Sequence, residues 1–362
     1  MPNPVRVLVL TPYPYGSTAG PRSSFELWEP VLADAGIKLE YAEFETPALH
    51  EIIYQPVGTG RKALEMIKAY ASFLPKASAA RSYDAVMINR EATLIGPALV
   101  ERWVASFGKP LIYHLDDPLY IRYLSPSNGV FSYLKFVGKV KTLCRMSTVV
   151  TANSPSHVAF AKRFNRNVWE IPSVVDASRY NGWRPRADPD APVCVGWSGS
   201  PSTVPNLQVI KEPLRLTGAR DDAVVHLIGS DDFNLPEVRH SGAAWSAETE
   251  VDDLRKLDIG VVPLPLTPWT PHKFYLKLVQ YMALGIAPVA TPLGANPSVI
   301  EPGRTGLLAT TATEWYAALD RLISTPELRE EMGRNAAEVA HQRYTLQANA
   351  EKIVAAFRSA FA

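Results

Sequence analysis

The sequence predicts an α/β protein of two domains, each built on a parallel β-sheet. Its 362 residues are enough for two domains of ordinary size, and with 47% of them apolar and 20% charged each domain can bury a core. Short β-branched runs alternate with longer segments of helical spacing, the pattern of a parallel sheet covered by helices. This series stops in a segment rich in proline and glycine, 176–192, and then begins again.

The first series predicts one sheet and its helices. Apolar residues recur at helical spacing in 24–35 and 155–163. Apolar and β-branched runs predict parallel strands at 5–10, 85–88, 111–113, 148–151 and 168–171.

The second series predicts a second sheet, and we place the domain boundary at residue 182. The domains are therefore 1–182 and 183–345. The carboxyl-terminal segment is helical at 314–323, 326–344 and 346–361, and strands are predicted at 193–197, 224–228, 259–263, 287–290 and 306–309.

Charge and cysteine content exclude several classes of protein. The 37 basic and 36 acidic residues nearly cancel, whereas a nucleic-acid-binding protein is expected to carry an excess of basic residues. Cys144 and Cys194 form no motif for a disulfide framework or a zinc site. The chain has no run of about eighteen apolar residues, and the run 7–10 is too short for a signal peptide. We therefore expect a cytoplasmic protein that does not span a membrane.

The loop after the first strand carries Gly16, Gly20 and Arg22 and opens a helix. Backbone amides and the positive end of a helix dipole suit a phosphate or a sugar, so these three residues are predicted to bind a ligand. The loop is not GxGxxG, and no acidic residue is clearly placed for a dinucleotide ribose, which argues against a dehydrogenase. The alternative is an ordinary surface loop.

A histidine and two carboxylates follow the strand at 111–113. His114 is predicted to contact the substrate or to catalyse, because Asp116 and Asp117 can orient it or perturb its titration. The alternative is a histidine satisfied in the core. The Asp-Asp pair also suggests a metal site, but the same dipeptide recurs at 221, 231 and 252, so no metal is predicted.

Two loops of the second domain have the composition of anion sites. The first follows the strand at 193–197 and contains Gly199, Ser200 and Ser202, whose alternative role is a capped turn. In the second, Lys273 lies near the start of an amphipathic helix, where a cation opposes the helix dipole unless an anion lies between them. Its alternative is a surface lysine. Gln280 follows His272 by about two helical turns, so both can point toward one ligand.

Together these segments resemble the donor domain of glycosyltransferase family 4, from about residue 193 to the carboxyl terminus. The resemblance implies the GT-B fold, in which two Rossmann-like domains face across a cleft and the terminal helix, 346–362, returns to the first. It rests on 196–203, 261–264, 273–285, 288–291 and 303–308, and more loosely on 16–22, 89–91, 114–117 and 171–176.

The activity that the resemblance implies is transfer of a sugar from a nucleotide diphosphate sugar with retention of anomeric configuration. It implies no metal and no cofactor besides that co-substrate. The family's two glutamates fall on His272 and Gln280, so both carboxylates are absent, although the Gln280 amide can still bind a ribose. The family's catalytic-region histidine falls on His114. Lys273 and the amides of Phe274, Tyr275 and Leu276 are expected to face the diphosphate.

The acceptor cannot be read from the chain: a small molecule, a glycan and a lipid-linked acceptor all stay open. Lysines and arginines interleave with apolar residues in 131–145, which suits either contact with anionic lipid or, as we favour, a solvated helix face. Two further functions also stay open. One is a nucleotide-sugar-binding or regulatory protein that has lost transfer, which the two missing glutamates suggest, and the other is an epimerase acting on nucleotide sugars.

Overall fold

The computed structural model confirms the α/β class and the two parallel sheets. It describes residues 4–53, 55, 58–122, 134–186, 188–229, 235 and 237–362. The chain divides into two compact units, called here the first unit and the second unit. The first unit is Met1–Ser173 with His272–Phe274 and Asn349–Ala362, and the second is Val174–Pro271 with Tyr275–Ala348.

The division falls at residues 173 and 174, whereas the sequence placed it at 182. Val175 already belongs to the second unit, where it exchanges backbone hydrogen bonds with residues at the start of the last helix. Its amide donates to the Tyr344 carbonyl at 3.0 Å, and the Leu346 amide donates to the Val175 carbonyl at 2.9 Å.

The first unit holds a six-stranded parallel sheet in the order β2-β1-β3-β4-β5-β6, counted over the described residues. Its strands are β1 (Val5–Thr11), β2 (Ile37–Glu43), β3 (Ala85–Asn89), β4 (Leu111–Leu115), β5 (Val149–Ala152) and β6 (Val168–Glu170). Its helices are α1 (Ala19–Arg22), α2 (Phe25–Asp34), α3 (Pro47–Ile53), α4 (Thr59–Ser78), α5 (Leu99–Ala105), α6 (Gly138–Met146) and α7 (Pro155–Lys162).

The central strands of this sheet are buried on both faces, which explains their continuous apolar runs. One face carries Val86 and Ile88 into the main core cluster. On the other face His114 meets the α2 residue Trp28, which in turn packs edge-on against Phe357 near the carboxyl terminus.

The second unit holds a six-stranded parallel sheet in the order β12-β11-β10-β7-β8-β9 within the described part of the chain. Its strands are β7 (Val193–Ser198), β8 (Ala223–Ile228), β9 (Ser241–Ala243), β10 (Ile259–Val262), β11 (Ala287–Ala290) and β12 (Leu307–Leu308). The remaining helices are α8 (Lys211–Gly218), α9 (Glu250–Leu254), α10 (Leu276–Ala283), α11 (Asn296–Val299), α12 (Ala312–Ser324), α13 (Pro326–Arg343) and α14 (Leu346–Arg358).

Each sheet has one point where the strand order reverses. In the first sheet β1 and β3 are neighbours there, and in the second sheet β7 and β10 are. Ligands of open α/β sheets bind beyond the carboxyl ends of such strands, so the loops after these four strands are the places to look for a site. Among the described helices, none combines the length and the apolar character that crossing a bilayer requires.

Candidate functional site

An ion-pair cluster lies beyond the carboxyl ends of β3 and β4 in the first unit. Arg90 binds the Asp116 carboxylate with both arms, Nε to Oδ1 at 2.6 Å and Nη2 to Oδ2 at 2.9 Å. Its Nη2 also lies 3.1 Å from Asp117 Oδ2, and Asp117 Oδ1 lies 3.0 Å from Lys273 Nζ. Charges of opposite sign therefore alternate from Asp116 through Arg90 and Asp117 to Lys273.

The backbone of Arg90 is in the left-handed region, with φ of 57°, the only non-glycine residue there in the described ranges. Such a conformation costs an arginine about 1 kcal/mol or more, so neighbouring contacts must hold it. The Arg90 amide donates to the His114 carbonyl at 3.0 Å, and Tyr113 Oη donates to the Arg90 carbonyl at 3.0 Å. The strand β4 thus fixes the turn that aims the guanidinium at the two aspartates.

The cations keep Asp117 ionised. Burial by itself raises the pKa of this carboxyl, but the charges of Arg90 and Lys273 outweigh that effect and hold the pKa well below its usual range. A carboxylate that is buried and doubly paired in this way is an acceptor of hydrogen bonds at neutral pH. It is not a proton donor.

Beside the ion-pair cluster lies a hydrogen-bonded group that includes a second buried histidine. Asn153 Nδ2 donates to the Asp116 carbonyl at 3.3 Å and to Ser173 Oγ at 3.2 Å, which leaves Asn153 Oδ1 to accept from His157 Nδ1 at 2.9 Å. His157 Nε2 is buried with no hydrogen-bond partner within the described residues. Burial lowers the pKa of His157 to about 4, so its ring is neutral at pH 7.

His114 does not face this cluster. Its side chain is 0% exposed, its ring packs edge-on against Trp28 at 5.1 Å and Phe25 at 6.1 Å, and Nδ1 lies 2.9 Å from Thr151 Oγ1. Burial lowers the pKa of His114 to about 4. In this structure the side chain points into the face of the sheet that α2 covers, and contact of His114 with a sugar or an acceptor stays a prediction. The buried position of the ring fits the alternative, a core histidine.

Ligand binding by the glycine loop after β1 stays a prediction, and its residues have protein partners in this structure. The Gly16 amide donates to the Glu26 carboxylate, 3.2 Å from each oxygen, so this amide already has an anionic partner. Burial raises the pKa of Glu26 to about 7. Gly20 packs on the ion pair, since a Cβ there would lie 2.6 Å from Arg90 Nη2. Arg22 ends α1 and lowers the pKa of Glu26, although less than burial raises it.

In the second unit the glycine turn at Gly199, which follows β7, packs closely against the glycine turn at Gly229, which follows β8. The Gly199 amide donates to the Ile228 carbonyl at 2.9 Å, and Gly229 has a φ of +141°. A Cβ on Gly229 would lie 1.8 Å from the Gly199 carbonyl oxygen, and a Cβ on Gly199 would lie 2.4 Å from the Trp197 ring. Only glycine fits either position. The Ser200 carbonyl accepts a hydrogen bond from the Thr203 amide. The Ser202 side chain lies outside the described part of the structure.

The helix α10 begins at Leu276, three residues after Lys273. Tyr275 occupies its N-cap position without a side-chain capping bond, and the preceding residue is Phe274. The lysine of its first turn is Lys277, whose Nζ lies 4.3 Å from the centroid of the Trp197 ring. A lysine at a helix N-terminus, beside the glycine turn that follows β7, has the character expected of an anion site.

The amide of Gln280 is part of a buried network. Its Nε2 donates to Tyr180 Oη at 2.7 Å, and Tyr180 Oη donates to Glu250 Oε2 at 3.0 Å. The amide nitrogen that the sequence assigned to a ribose thus binds a protein hydroxyl. His272, at the other glutamate position of the family motif, stands edge-on to Tyr120 at 5.9 Å in the first unit.

Sequence reasoning found the correct strand ends but not all the residues there. It placed Gly199 and Lys273 in the loops where they lie, and it named Asp116 and Asp117. It included Arg90 and Lys277 in the segments that carry the resemblance but assigned them no role, and it did not name the histidine His157. Signals for these existed: Arg90 follows a fully buried strand directly, and Lys277 falls in the first turn of the predicted helix.

A comparison with protein families finds a match within the second unit. Residues 198–325 match the family described as glycosyl transferases group 1. No curated protein matches the chain. The match confirms the resemblance that the sequence motifs indicated for this segment.

Solved structures of similar fold cover nearly the whole chain. Sucrose-phosphate synthase from Thermosynechococcus elongatus has a TM-score of 0.73 at 15% identity, covering 99% of this chain and 99% of that one. HepE from Anabaena, in complex with UDP and glucose, has a TM-score of 0.70 at 16% identity and covers 98% of this chain and 100% of its own. A glycosyltransferase from Rickettsia africae has a TM-score of 0.66 at 14% identity, with 99% of each chain covered. The two-sheet architecture is therefore a known fold, the one these proteins share.

Proposed function

We propose that this group 1 glycosyltransferase moves a sugar from a nucleoside diphosphate sugar to an acceptor, with retention of anomeric configuration and without a metal ion. The observation that carries the proposal is the anion-binding character of the second unit inside the segment that matches the family. There the start of α10, with Lys277 in its first turn beside the glycine turn at Gly199, provides backbone amides and a cation.

The reaction requires stabilisation of the diphosphate leaving group. As the glycosidic bond breaks, negative charge builds up on the diphosphate, so donors that strengthen with this charge accelerate the step. The amides of Tyr275 and Leu276 and the ammonium of Lys277 are such donors. Retention follows if the acceptor attacks from the face that the diphosphate leaves, and this route requires no carboxylate nucleophile.

Lys273 is the second lysine that we propose for the diphosphate. In this structure its ammonium lies 3.0 Å from Asp117 Oδ1, so a phosphate oxygen would replace that carboxylate as its partner. The engagement of Asp116 and Asp117 by Arg90 also supports a reaction without a metal, because both carboxylates already have a cationic partner. Addition of a chelator should therefore leave the rate of transfer unchanged.

Binding measurements on matched lysine variants test the donor site. We expect Lys277→Met to weaken binding of a nucleoside diphosphate by about ten- to a hundredfold and to leave nucleoside binding unchanged, because a charge-assisted contact contributes about 1.5 to 3 kcal/mol. UDP is the first probe, since the HepE structure contains it. Lys211→Met on α8, which removes a surface ion pair with Glu237, is the control. Equal losses for nucleoside and diphosphate would remove Lys277 from the proposed site.

The absence of both family glutamates supports a second candidate, a nucleotide-sugar-binding protein without transfer. His272 and Gln280 stand at those positions, and the Gln280 amide binds Tyr180. Incubation with nucleotide sugars separates the two functions. Release of nucleoside diphosphate with a product of unchanged anomeric configuration supports transfer with retention, whereas tight binding without release supports the second candidate.

A further inference from the structure

Six exposed large apolar side chains lie in one region of the first unit, called here the α4 surface. They are six of the eleven such residues in the described chain, and Ile67 and Leu99 are 67% and 68% exposed. Scattered single apolar residues need no explanation, but a group of this size marks a surface that contacts something. The six are Leu64, Ile67, Leu74, Leu99, Leu134 and Phe136.

The helix α4 carries two apolar faces. Ala69, Phe73 and Ala77 recur every four residues and are buried against the core of the first unit. Leu64, Ile67 and Leu74 follow each other at three and seven residues, which places them on one stripe of the opposite side. The second stripe is exposed, and a soluble helix with a single packed face would carry polar residues there.

A row of cations borders the exposed stripe. Arg61 and Lys68 are exposed and lie seven residues apart, about two turns, so they share a line beside the apolar residues, whereas the exposed Lys76 lies about 80° further round the helix. The helix holds four basic residues and one acidic residue, Glu65, which pairs with Lys68 at 2.7 Å. The border of the stripe is therefore positively charged.

The other apolar members continue the stripe on the side of Tyr70. Tyr70 Oη donates to the Ile95 carbonyl at 2.8 Å, and the amide of Gly96 donates to the Leu134 carbonyl at 2.9 Å. Phe136 follows two residues later, and Leu99 begins α5 three residues after Gly96. Apolar side chains thus extend from α4 across two neighbouring segments of the same unit.

The segment that the sequence considered for lipid contact contributes Leu134 and Phe136 to the α4 surface, but one of its lysines is buried. Lys139, in the middle of 131–145, is buried, with Nζ 2.8 Å from Glu101 Oε1 and 3.6 Å from Glu91 Oε2. Residues 131–133 lie outside the described part of the chain. Lys139 therefore takes no part in a basic face on α6.

We propose that the α4 surface docks on a bilayer that contains anionic phospholipids. The apolar stripe with Ile67 would enter the boundary between headgroups and acyl chains, and Arg61 and Lys68 beside it would lie against the lipid phosphates. A helix with an apolar stripe beside a basic row is the arrangement that binds such an interface. The charge complementarity favours anionic lipid over an acidic protein, because the apolar stripe is long and lies alongside the cations. Docking needs neither donor nor acceptor, so it stands apart from the proposed function.

Flotation of the full chain with lipid vesicles tests the proposal. Vesicles of phosphatidylcholine with phosphatidylglycerol should bind the protein at least about tenfold more strongly than vesicles of phosphatidylcholine alone, and added salt should reduce the difference. Ile67→Ser and Lys68→Gln should each reduce binding to the anionic vesicles by about three- to tenfold. Val224→Ser, which changes an exposed apolar residue of β8 in the second unit, should bind like the unaltered protein.

Three results would overturn the proposal. Equal binding to the two kinds of vesicle would remove the electrostatic part, and equal binding by Ile67→Ser and the unaltered protein would remove the apolar part. Self-association that Ile67→Ser abolishes, with no vesicle binding, would assign the surface to a second copy of the chain. Thermal unfolding of each variant is measured in parallel, and these exposed positions should change the Tm by only a few degrees.

Discussion

Replacing His114 by alanine separates the role that the sequence suggested from the one that the structure indicates. The ring is 0% exposed between β4 and α2, in contact with Trp28 and Phe25, and Nδ1 lies within hydrogen-bond distance of Thr151 Oγ1. Emptying the site of a ring smaller than phenylalanine costs about 2 to 3 kcal/mol, and the lost hydrogen bond adds about 1 kcal/mol. His114→Ala should therefore lower the free energy of unfolding of the first unit by about 3 to 4 kcal/mol.

The expected loss appears in a melting curve. A unit of this size changes its Tm by about 2 to 4 °C for each kcal/mol, so we expect a decrease of roughly 6 to 16 °C. At a temperature where the variant is folded, turnover per folded molecule should stay within about twofold of the unaltered protein, because the side chain is buried between β4 and α2. His114→Phe is the matched control: it refills the space, so it should lose less stability than His114→Ala.

Turnover decides between the two interpretations. A His114→Ala protein that keeps its Tm but turns over about a hundredfold more slowly would refute the structural reasoning, since general acid–base catalysis contributes on that scale. The same loss in His114→Phe would confirm that result, because the phenylalanine keeps the packing and removes only the ionisable nitrogens.

Three further predictions concern buried groups. Burial lowers the pKa of His114 and of His157 to about 4, so below pH 6 these two histidines bind protons in the unfolded chain but not in the folded chain. The free energy of unfolding should therefore fall by up to about 2.7 kcal/mol per pH unit as the pH drops from about 6 to 4.5. Urea titrations of His157→Gln should show about half that slope. Lys139→Met leaves the Glu101 carboxylate buried without its cation and should cost about 3 to 5 kcal/mol by urea denaturation, part of which Glu101→Gln should restore. Gly229→Ala should lower the stability of the second unit by about 3 kcal/mol in a thermal melt, because its Cβ would meet a carbonyl oxygen at a φ of +141°; a loss below about 1 kcal/mol would show that the two turns can separate.

Secondary structure was predictable where a local pattern reports burial. The fully buried strands β3 and β4 read as continuous apolar runs, and both were placed within about two residues. The edge strand β2 was missed because its outward residues include Lys38 and Glu40, so that its apolar character alternates with charge. The helix α4 was missed for a related reason, since its two apolar stripes leave no single face for the periodicity to reveal.

The candidate site was predictable to the level of the loop. Connectivity alone places the loops after parallel strands at one edge of each sheet, so the sequence by itself determined that Gly199 and the pair Asp116 and Asp117 lie at carboxyl ends of strands. It also determined the family resemblance of the second unit, because that rests on residue types at fixed spacing.

Only the tertiary structure decided which side chains at those edges meet. The position of His114 at a strand end suggests an accessible side chain, but both faces of the central strands are covered. The pleat of the strand decides toward which face a side chain points, and the helix packed on that face decides what it contacts. The partnership of Gln280 with Tyr180 joins positions 100 residues apart, and that of Arg90 with Asp116 joins positions 26 apart. No local pattern encodes such a pair, because hydrogen-bond and ion-pair energies depend on distances of a few ångströms that are set only when separate strands and helices pack.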